Sequence, residues 1–132
     1  MHRSLYQMTG GRIGRRLADN DMLLLTTTGH FSRRPHTVPL LYIRDESRLL
    51  VVASYGGRPR HPAWYDNLVV DPLVRVQLGA KRAEMVARTA EPEERAVWWP
   101  RVVEAFADYA VYQSRTDRVI PLVFLEPISD VS

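Results

Sequence analysis

Apolar and polar residues alternate along much of this chain at the two-residue period of half-buried strands. Val74, Val76 and Leu78 alternate with Arg75 and Gln77, which predicts a strand over Val74 to Leu78 with one face inward. Leu23 to Thr28 reads as a strand of leucines and β-branched threonines, which suit a pleated surface. Thr37 to Arg44 and Lys81 to Thr89 also read as strands, and Arg48 to Ser54 does so as a run rich in Leu and Val. Asp45-Glu46-Ser47 is short enough to make the segments on either side of it an antiparallel hairpin. Val119 to Leu125 is a last strand, interrupted by Pro121, which predicts a sheet edge there.

A longer period marks the helices. In His61 to Val70, Pro62 suits a first turn, and Trp64 and Leu68 share a face. Glu91-Pro92-Glu93-Glu94 opens another helix, with carboxylates at the positive end of its dipole. Trp98, Val102 and Phe106 recur at i+4, and Pro100 is predicted to kink or restart the helix. A further helical turn carries Tyr109 and Tyr112. At the N-terminus, Leu5 with Met8 and Ile13 with Leu17 have helical spacing, broken by Gly10, Gly11 and Gly14. This amphipathic segment either packs on the body of the protein or rests on lipid with its arginines at headgroups. Hairpins dominate, and helices do not regularly separate the strands. The expected class is α+β, an antiparallel six-stranded barrel with flanking helices rather than a doubly wound sheet. The expected division is an N-terminal segment 1–21, a barrel domain 22–127 and a frayed tail 128–132.

Composition narrows the chemistry. The 132 residues fit one domain. The absence of cysteine excludes disulfides, a thiolate nucleophile and cysteine-ligated zinc, and suits a cytoplasmic address. No apolar run approaches the roughly 20 residues of a membrane span, and arginines interrupt the N-terminal region where a signal peptide needs a continuous apolar core. The net charge of +3 rests on arginine, with Lys81 the one lysine. Arginine favours planar, bidentate anions. The charge density is below that of a dedicated nucleic-acid binder, so no nucleic-acid partner is expected.

His2, His30, His36 and His61 fall at no metal-ligand spacing, so no metal site is expected. Gly56-Gly57 lacks a full dinucleotide fingerprint and reads as a turn. Glu93, Glu94, Glu104 and Asp108 read as a solvated helix face. Two features invite more. Gly29–His36 and Tyr55–His61 are loops rich in arginine, either ordinary surface charge or a pair of grips for one extended anion. Phe106, Tyr109 and Tyr112 stand three residues apart, either a core stripe or an aromatic pocket wall with hydroxyl donors.

LLLTTTG at Leu23–Gly29, Pro35-His36-Thr37-Val38-Pro39-Leu40, VASYGG at Val52–Gly57, HPAWYDNL at His61–Leu68, Asp71-Pro72 and YQSRTDRVIP at Tyr112–Pro121 together resemble the deazaflavin-dependent nitroreductase family of actinobacteria. The resemblance runs from about Leu5 to Pro127. It implies a split β-barrel akin to flavin-mononucleotide-binding oxidases, and coenzyme F420, a deazaflavin with a phosphate and an oligoglutamate tail. It implies hydride transfer from the reduced cofactor to quinones, nitro compounds or activated enones. Some members associate with membranes through the N-terminal segment, so residues 1–21 are expected to make peripheral contact with the inner face of the cell membrane. The expected assembly is a monomer or weak homodimer. A non-catalytic binder of deazaflavin or a lipid-like ligand, and a flavin mononucleotide (FMN) oxidoreductase, remain open alternatives.

The resemblance also assigns roles. Arg33, Arg34, His36 and Arg60 would hold the cofactor's anionic end. The backbone of Pro39, Leu40 and Leu41, with Ala53 and Ser54, would lie against the deazaflavin ring, and Trp64 and Asn67 would close the site. Ser54, Tyr109 and Tyr112 would form the catalytic, substrate-facing side, Ser54 and Tyr109 as hydrogen-bond donors. Family members commonly carry two basic residues directly after TTTG, where this chain has His30 and Phe31, and a tyrosine where it has Phe106.

Overall fold

The sheet is wound so that its two edges are neighbours in sequence. In the computed structural model, which describes residues 22–128, the strands are β1 (Leu23–Thr28), β2 (Pro35–Leu40), β3 (Ile43–Asp45), β4 (Arg48–Val52), β5 (Leu73–Leu78), β6 (Lys81–Thr89) and β7 (Leu122–Pro127). They form one antiparallel seven-stranded sheet in the order β2-β1-β5-β6-β7-β4-β3. Laid flat, strands at a 4.8 Å spacing would put β2 and β3 roughly 29 Å apart. Only Leu41 and Tyr42 join them, a span of at most roughly 11 Å. The sheet must therefore curl until its edges meet, closed by the chain instead of by a ladder. This is the expected split barrel, with one strand more than expected.

The extra strand comes from the segment read as one strand over 37–44. β2 begins earlier, at Pro35, and pairs with β1, Leu23 facing Leu40 and Thr28 facing Pro35. β3 makes the hairpin with β4 across Glu46-Ser47. A chain that leaves one sheet edge for the other cannot keep its ladder through the corner, so pairing breaks at Leu41 and Tyr42. The last strand also needs correction. β7 starts after Pro121 and pairs with both β4 and β6, so it is internal, not an edge. Pro121 precedes the ladder, and its carbonyl accepts from Ala53 N at 3.0 Å.

Burial explains why some strands alternate and others do not. β1 alternates strictly, Leu23 and Leu25 being fully buried. β4 and β7 are apolar on both faces. Leu49, Val51, Val123 and Leu125 join the barrel interior, while Leu50, Val52, Leu122 and Phe124 face a second core outside it. Two helices cover that outer face, α2 (Pro92–Ala105) and α3 (Asp108–Ser114), after α1 (Ala63–Val70) has closed the barrel beside β1 and β6. Trp64 and Leu68 of α1 enter the inner core, and the Trp98 ring of α2 meets Phe124 edge-on at 6.0 Å.

A reciprocal capping box starts α2, with Glu94 accepting from Glu91 N at 2.7 Å. The helix runs through Pro100 to Ala105 and is capped at Phe106, so the predicted restart comes at Asp108, eight residues later. Arg88 of β6 ties the layers together, donating to Glu94 at 2.9 and 3.1 Å and to Glu126 of β7. These bonds to Arg88 hold the Glu94 carboxyl down at about 2. The N-terminal segment 1–21, with its expected helix and lipid contact, and the tail beyond Ile128 lie outside the described residues.

Candidate functional site

A cavity of about 1100 Å³ opens where the split in the barrel meets the helices. Four stretches border it: the β1–β2 loop with β2, the turn that follows β4, the start of α1, and the α2–α3 junction. Pro39, Leu40, Leu41, Val52 and Trp64 give it an apolar body.

The β1–β2 loop is held from below by one buried amide. Asn67 on α1 is 4 % exposed, and its Oδ1 accepts from His30 N at 3.0 Å and His30 Nδ1 at 2.6 Å. A backbone N–H can only donate, which fixes the amide orientation and requires the proton of His30 on Nδ1. Asn67 Nδ2 donates to Thr27 Oγ1 at 3.1 Å. All polar atoms of Asn67 are thus engaged inside the protein. Above this anchor the loop is open. Phe31 is 87 % exposed, and Arg33, at φ 60°, meets Asp71 at 3.6 Å with most of its side chain in water. Ser32 Oγ lies 3.1 Å from His36 Nε2.

The turn after β4 is built differently. Tyr55, Gly56 and Gly57 have φ of 50°, 66° and 83°, a left-handed turn that L-residues resist. A Cβ on Gly57 would stand 2.5 Å from the Tyr112 carbonyl oxygen, so glycine lets the turn lie against α3. Two arginines beyond α3 grip its carbonyls. Arg118 donates to Ser54 O at 2.7 Å, Arg58 O at 2.9 Å and Ala53 O at 3.3 Å, and Arg115 donates to Gly56 O at 3.3 Å. Arg118 Nη1 also lies 2.8 Å from His61 Nδ1. A guanidinium only donates, so His61 is neutral with its proton on Nε2. Burial first, and then the Arg118 charge, lower the His61 pKa.

The third wall is the aromatic row. Phe106, Tyr109 and Tyr112 meet edge to face in sequence, at 5.9 and 5.8 Å between ring centres. Burial, reinforced by Tyr112, pushes the Tyr109 hydroxyl up to about 12. It is therefore a neutral donor across the physiological range. Ser54 is 8 % exposed, and its Oγ accepts from Gly56 N at 3.5 Å, which leaves the hydroxyl proton for a ligand.

Of the residues singled out in the sequence, His36, Pro39, Leu40, Leu41, Ser54, Trp64, Asn67, Tyr109 and Tyr112 line the cavity. Arg33, Arg34 and Arg60 are exposed outside its wall, and Ala53 is fully buried in the barrel core. His30, Phe31 and Phe106, noted only as departures, line it as well. Arg115 and Arg118 were not singled out. Their carbonyl partners are 59 to 65 residues away in sequence, and no local pattern announces such a pairing. The cavity exceeds the roughly 300–1,000 Å³ of most small-molecule sites. Its size and flat apolar body fit a three-ring cofactor with a second small molecule beside it.

The family model described as F420H2-dependent quinone reductase matches residues 1–127. An F420H2-dependent quinone reductase of Mycobacterium tuberculosis is 43 % identical over 129 residues, 95 % of this chain and 87 % of that protein. A solved F420-H2 dependent reductase is 44 % identical with a TM-score of 0.72, over 80 % of this chain and 93 % of its own. A second solved structure, described as a domain-swapped dimer, is 42 % identical with a TM-score of 0.74, over 95 % of this chain and 92 % of its own.

Proposed function

This chain belongs to the F420H2-dependent quinone reductase family, and from that premise we propose how its own residues carry out the reduction of a quinone. Bound reduced F420 supplies the hydride, and its carbon-centred ring passes two electrons together. Pro39, Leu40, Leu41 and Trp64 offer the apolar walls that orient the ring and exclude water. Ser54 and Tyr109 donate to the substrate oxygen as negative charge grows on it, and Tyr112 borders the same space. The closing proton comes from water at the open mouth. His36 on the cavity wall, with Arg33 and Arg34 just outside it and Arg60 on the second loop, would hold the cofactor's anionic end. Nitro compounds and activated enones are substrates of the same kind, electrophiles whose oxygen accepts a hydrogen bond.

The observation that carries this reading is Tyr109, half-buried on the cavity wall, its hydroxyl kept neutral by desolvation. The test mixes protein, reduced F420 and menadione and follows recovery of the oxidised cofactor's visible band. Recovery should be faster than without protein, and Tyr109→Phe should cut turnover about 100-fold, the scale of a lost oxyanion donor. Affinity for oxidised F420 should stay nearly unchanged. Equal loss in both would mean that Tyr109 holds the cofactor instead. For the assembly we propose a monomer in exchange with a weak homodimer, checked by light scattering across protein concentration.

A further inference from the structure

We propose that Arg118 is a positioning residue for the reductase site, one that locks the left-handed turn 55–57 and so fixes Ser54 relative to Tyr112. The proposal rests on the functional reading above and deepens it. The turn concentrates unfavourable features in three residues. Tyr55 is a non-glycine residue at φ 50°, and left-handed backbone costs an L-residue about 1–2 kcal/mol. Within the turn itself, Gly57 N donates to Ser54 O and Arg58 N to Tyr55 O. These two bonds do not explain why a strained conformation should persist at a cavity wall. Strain of this kind endures when the surroundings over-determine it.

Arg118 supplies that over-determination. Its planar fork reaches both ends of the turn, with Nη2 on Ser54 O at 2.7 Å and Nε on Arg58 O at 2.9 Å. The same guanidinium spans back to the end of β4 through Ala53 O. Its Nη1 also meets His61, the residue before the proline that leads into α1. One side chain therefore joins the strand end, the turn and the approach to α1. On the opposite side the turn presses against α3, because Gly57 allows backbone contact at Tyr112 and Arg115 pins Gly56 O. Ser54 and Tyr112 become parts of one rigid piece. Burial lowers the Arg118 pKa, but from a value so high that the group stays a cation. Lysine cannot imitate this role, because its three donors radiate from one nitrogen and cannot span acceptors that Arg118 meets with three separate nitrogens.

The experiment compares Arg118→Ala and Arg118→Lys with the wild type. Turnover with menadione should fall about 100-fold in both, the loss that a displacement near 1 Å produces, while affinity for oxidised F420 changes little. Millimolar methylguanidinium should restore a large part of the turnover of Arg118→Ala, and butylamine should not. A second readout does not depend on turnover. The His61 imidazole, followed by NMR titration, should have its pKa raised in Arg118→Ala, because the neighbouring cation is gone, and lowered again by methylguanidinium. Should Arg118→Ala not fold, Arg118→Lys keeps the charge and decides the matter by itself. Wild-type turnover in Arg118→Lys, or an unmoved His61 titration in Arg118→Ala, would overturn the proposal. If the wild type itself fails to reduce menadione, the functional reading falls, while amide exchange at Gly57 and Arg58, expected to quicken in Arg118→Lys, still shows whether Arg118 holds the turn.

Discussion

The two loops that border the cavity, 29–36 and 54–61, are alike in sequence, each with glycine, arginine and histidine, and are built by opposite means. The first is anchored at one point beneath it, where buried Asn67 takes the His30 backbone and ring. Its arginines are exposed, and the ion pair Arg33 makes with Asp71 lies mostly in water. The second loop is gripped from outside at several points, Ser54, Gly56, Arg58 and His61. Its own Arg58 lies on the Tyr55 ring at 4.7 Å, while Arg115 and Arg118 donate from outside to the carbonyls of Gly56, Ser54 and Arg58. Arginine in a loop therefore does not reveal its task. A left-handed turn points carbonyls where no strand or helix can pair them, and distant cations take that place. The first loop can adapt its charges to a ligand, while the second fixes the geometry of the hydroxyls.

Glycine replacements should separate the two designs most sharply. Gly57→Ala forces a Cβ to 2.5 Å from the Tyr112 carbonyl at φ +83°, and neither partner is a movable side-chain end. Urea unfolding should show a loss of about 3–4 kcal/mol, in the range of overpacking combined with backbone strain. Gly56→Ala has φ +66° but nothing within 4 Å, so it isolates the strain and should cost only about 1 kcal/mol. Asn67→Ala comes next. It leaves Thr27 and the His30 backbone without their partner in a buried place, at about 2–3 kcal/mol. It should also loosen the first loop, seen as faster amide exchange at His30, with exchange at Gly57 and Arg58, the amides of the second turn, unchanged. In Gly29→Ala the new Cβ meets the ends of Ser32 and His36, which can swing away, so about 1 kcal/mol is expected. A Gly29→Ala loss as large as that of Gly57→Ala would erase the distinction between the loops.

The same contrast shows why some features are legible in the sequence. β5 announces itself by alternation, while β1, LLLTTT, alternates in burial but not in sequence and was legible only from its leucines and β-branched threonines. β4 and β7 read as strands from their apolar runs, but a run buried on both faces does not tell where in the sheet it lies. Pro121 suggested an edge because proline breaks ladders, yet it stands just before the ladder begins. The break at Leu41 and Tyr42 has no local cause, since it follows from the sheet's closure. In the site, the aromatic row was legible because i+3 spacing survives even the step from the end of α2 into α3. The family resemblance placed Ser54, Trp64 and Asn67 at the cavity. Arg118 stayed hidden because carbonyl acceptors belong to the backbone and leave no mark in the residue string.

The smallest effects belong to the first loop's arginines. Replacing Arg33 and Arg34 together with alanine should leave unfolding within about 0.5 kcal/mol of wild type, since both side chains are exposed. Affinity for oxidised F420 should drop about tenfold at low salt, and the gap should narrow as salt screens the charges. Asp71→Asn then probes whether the loop adapts. Asparagine keeps an acceptor for Leu73 N, now 3.4 Å from Asp71 Oδ1, but releases Arg33 from its partner. An exposed pair is worth less than about 1 kcal/mol, so affinity should tighten by no more than about fivefold. The direction matters more than the size. Tighter binding means that Asp71 competes with the cofactor's anionic end for Arg33. Weaker binding would mean that Asp71 aims Arg33 at the ligand, and the first loop would then be as fixed as the second.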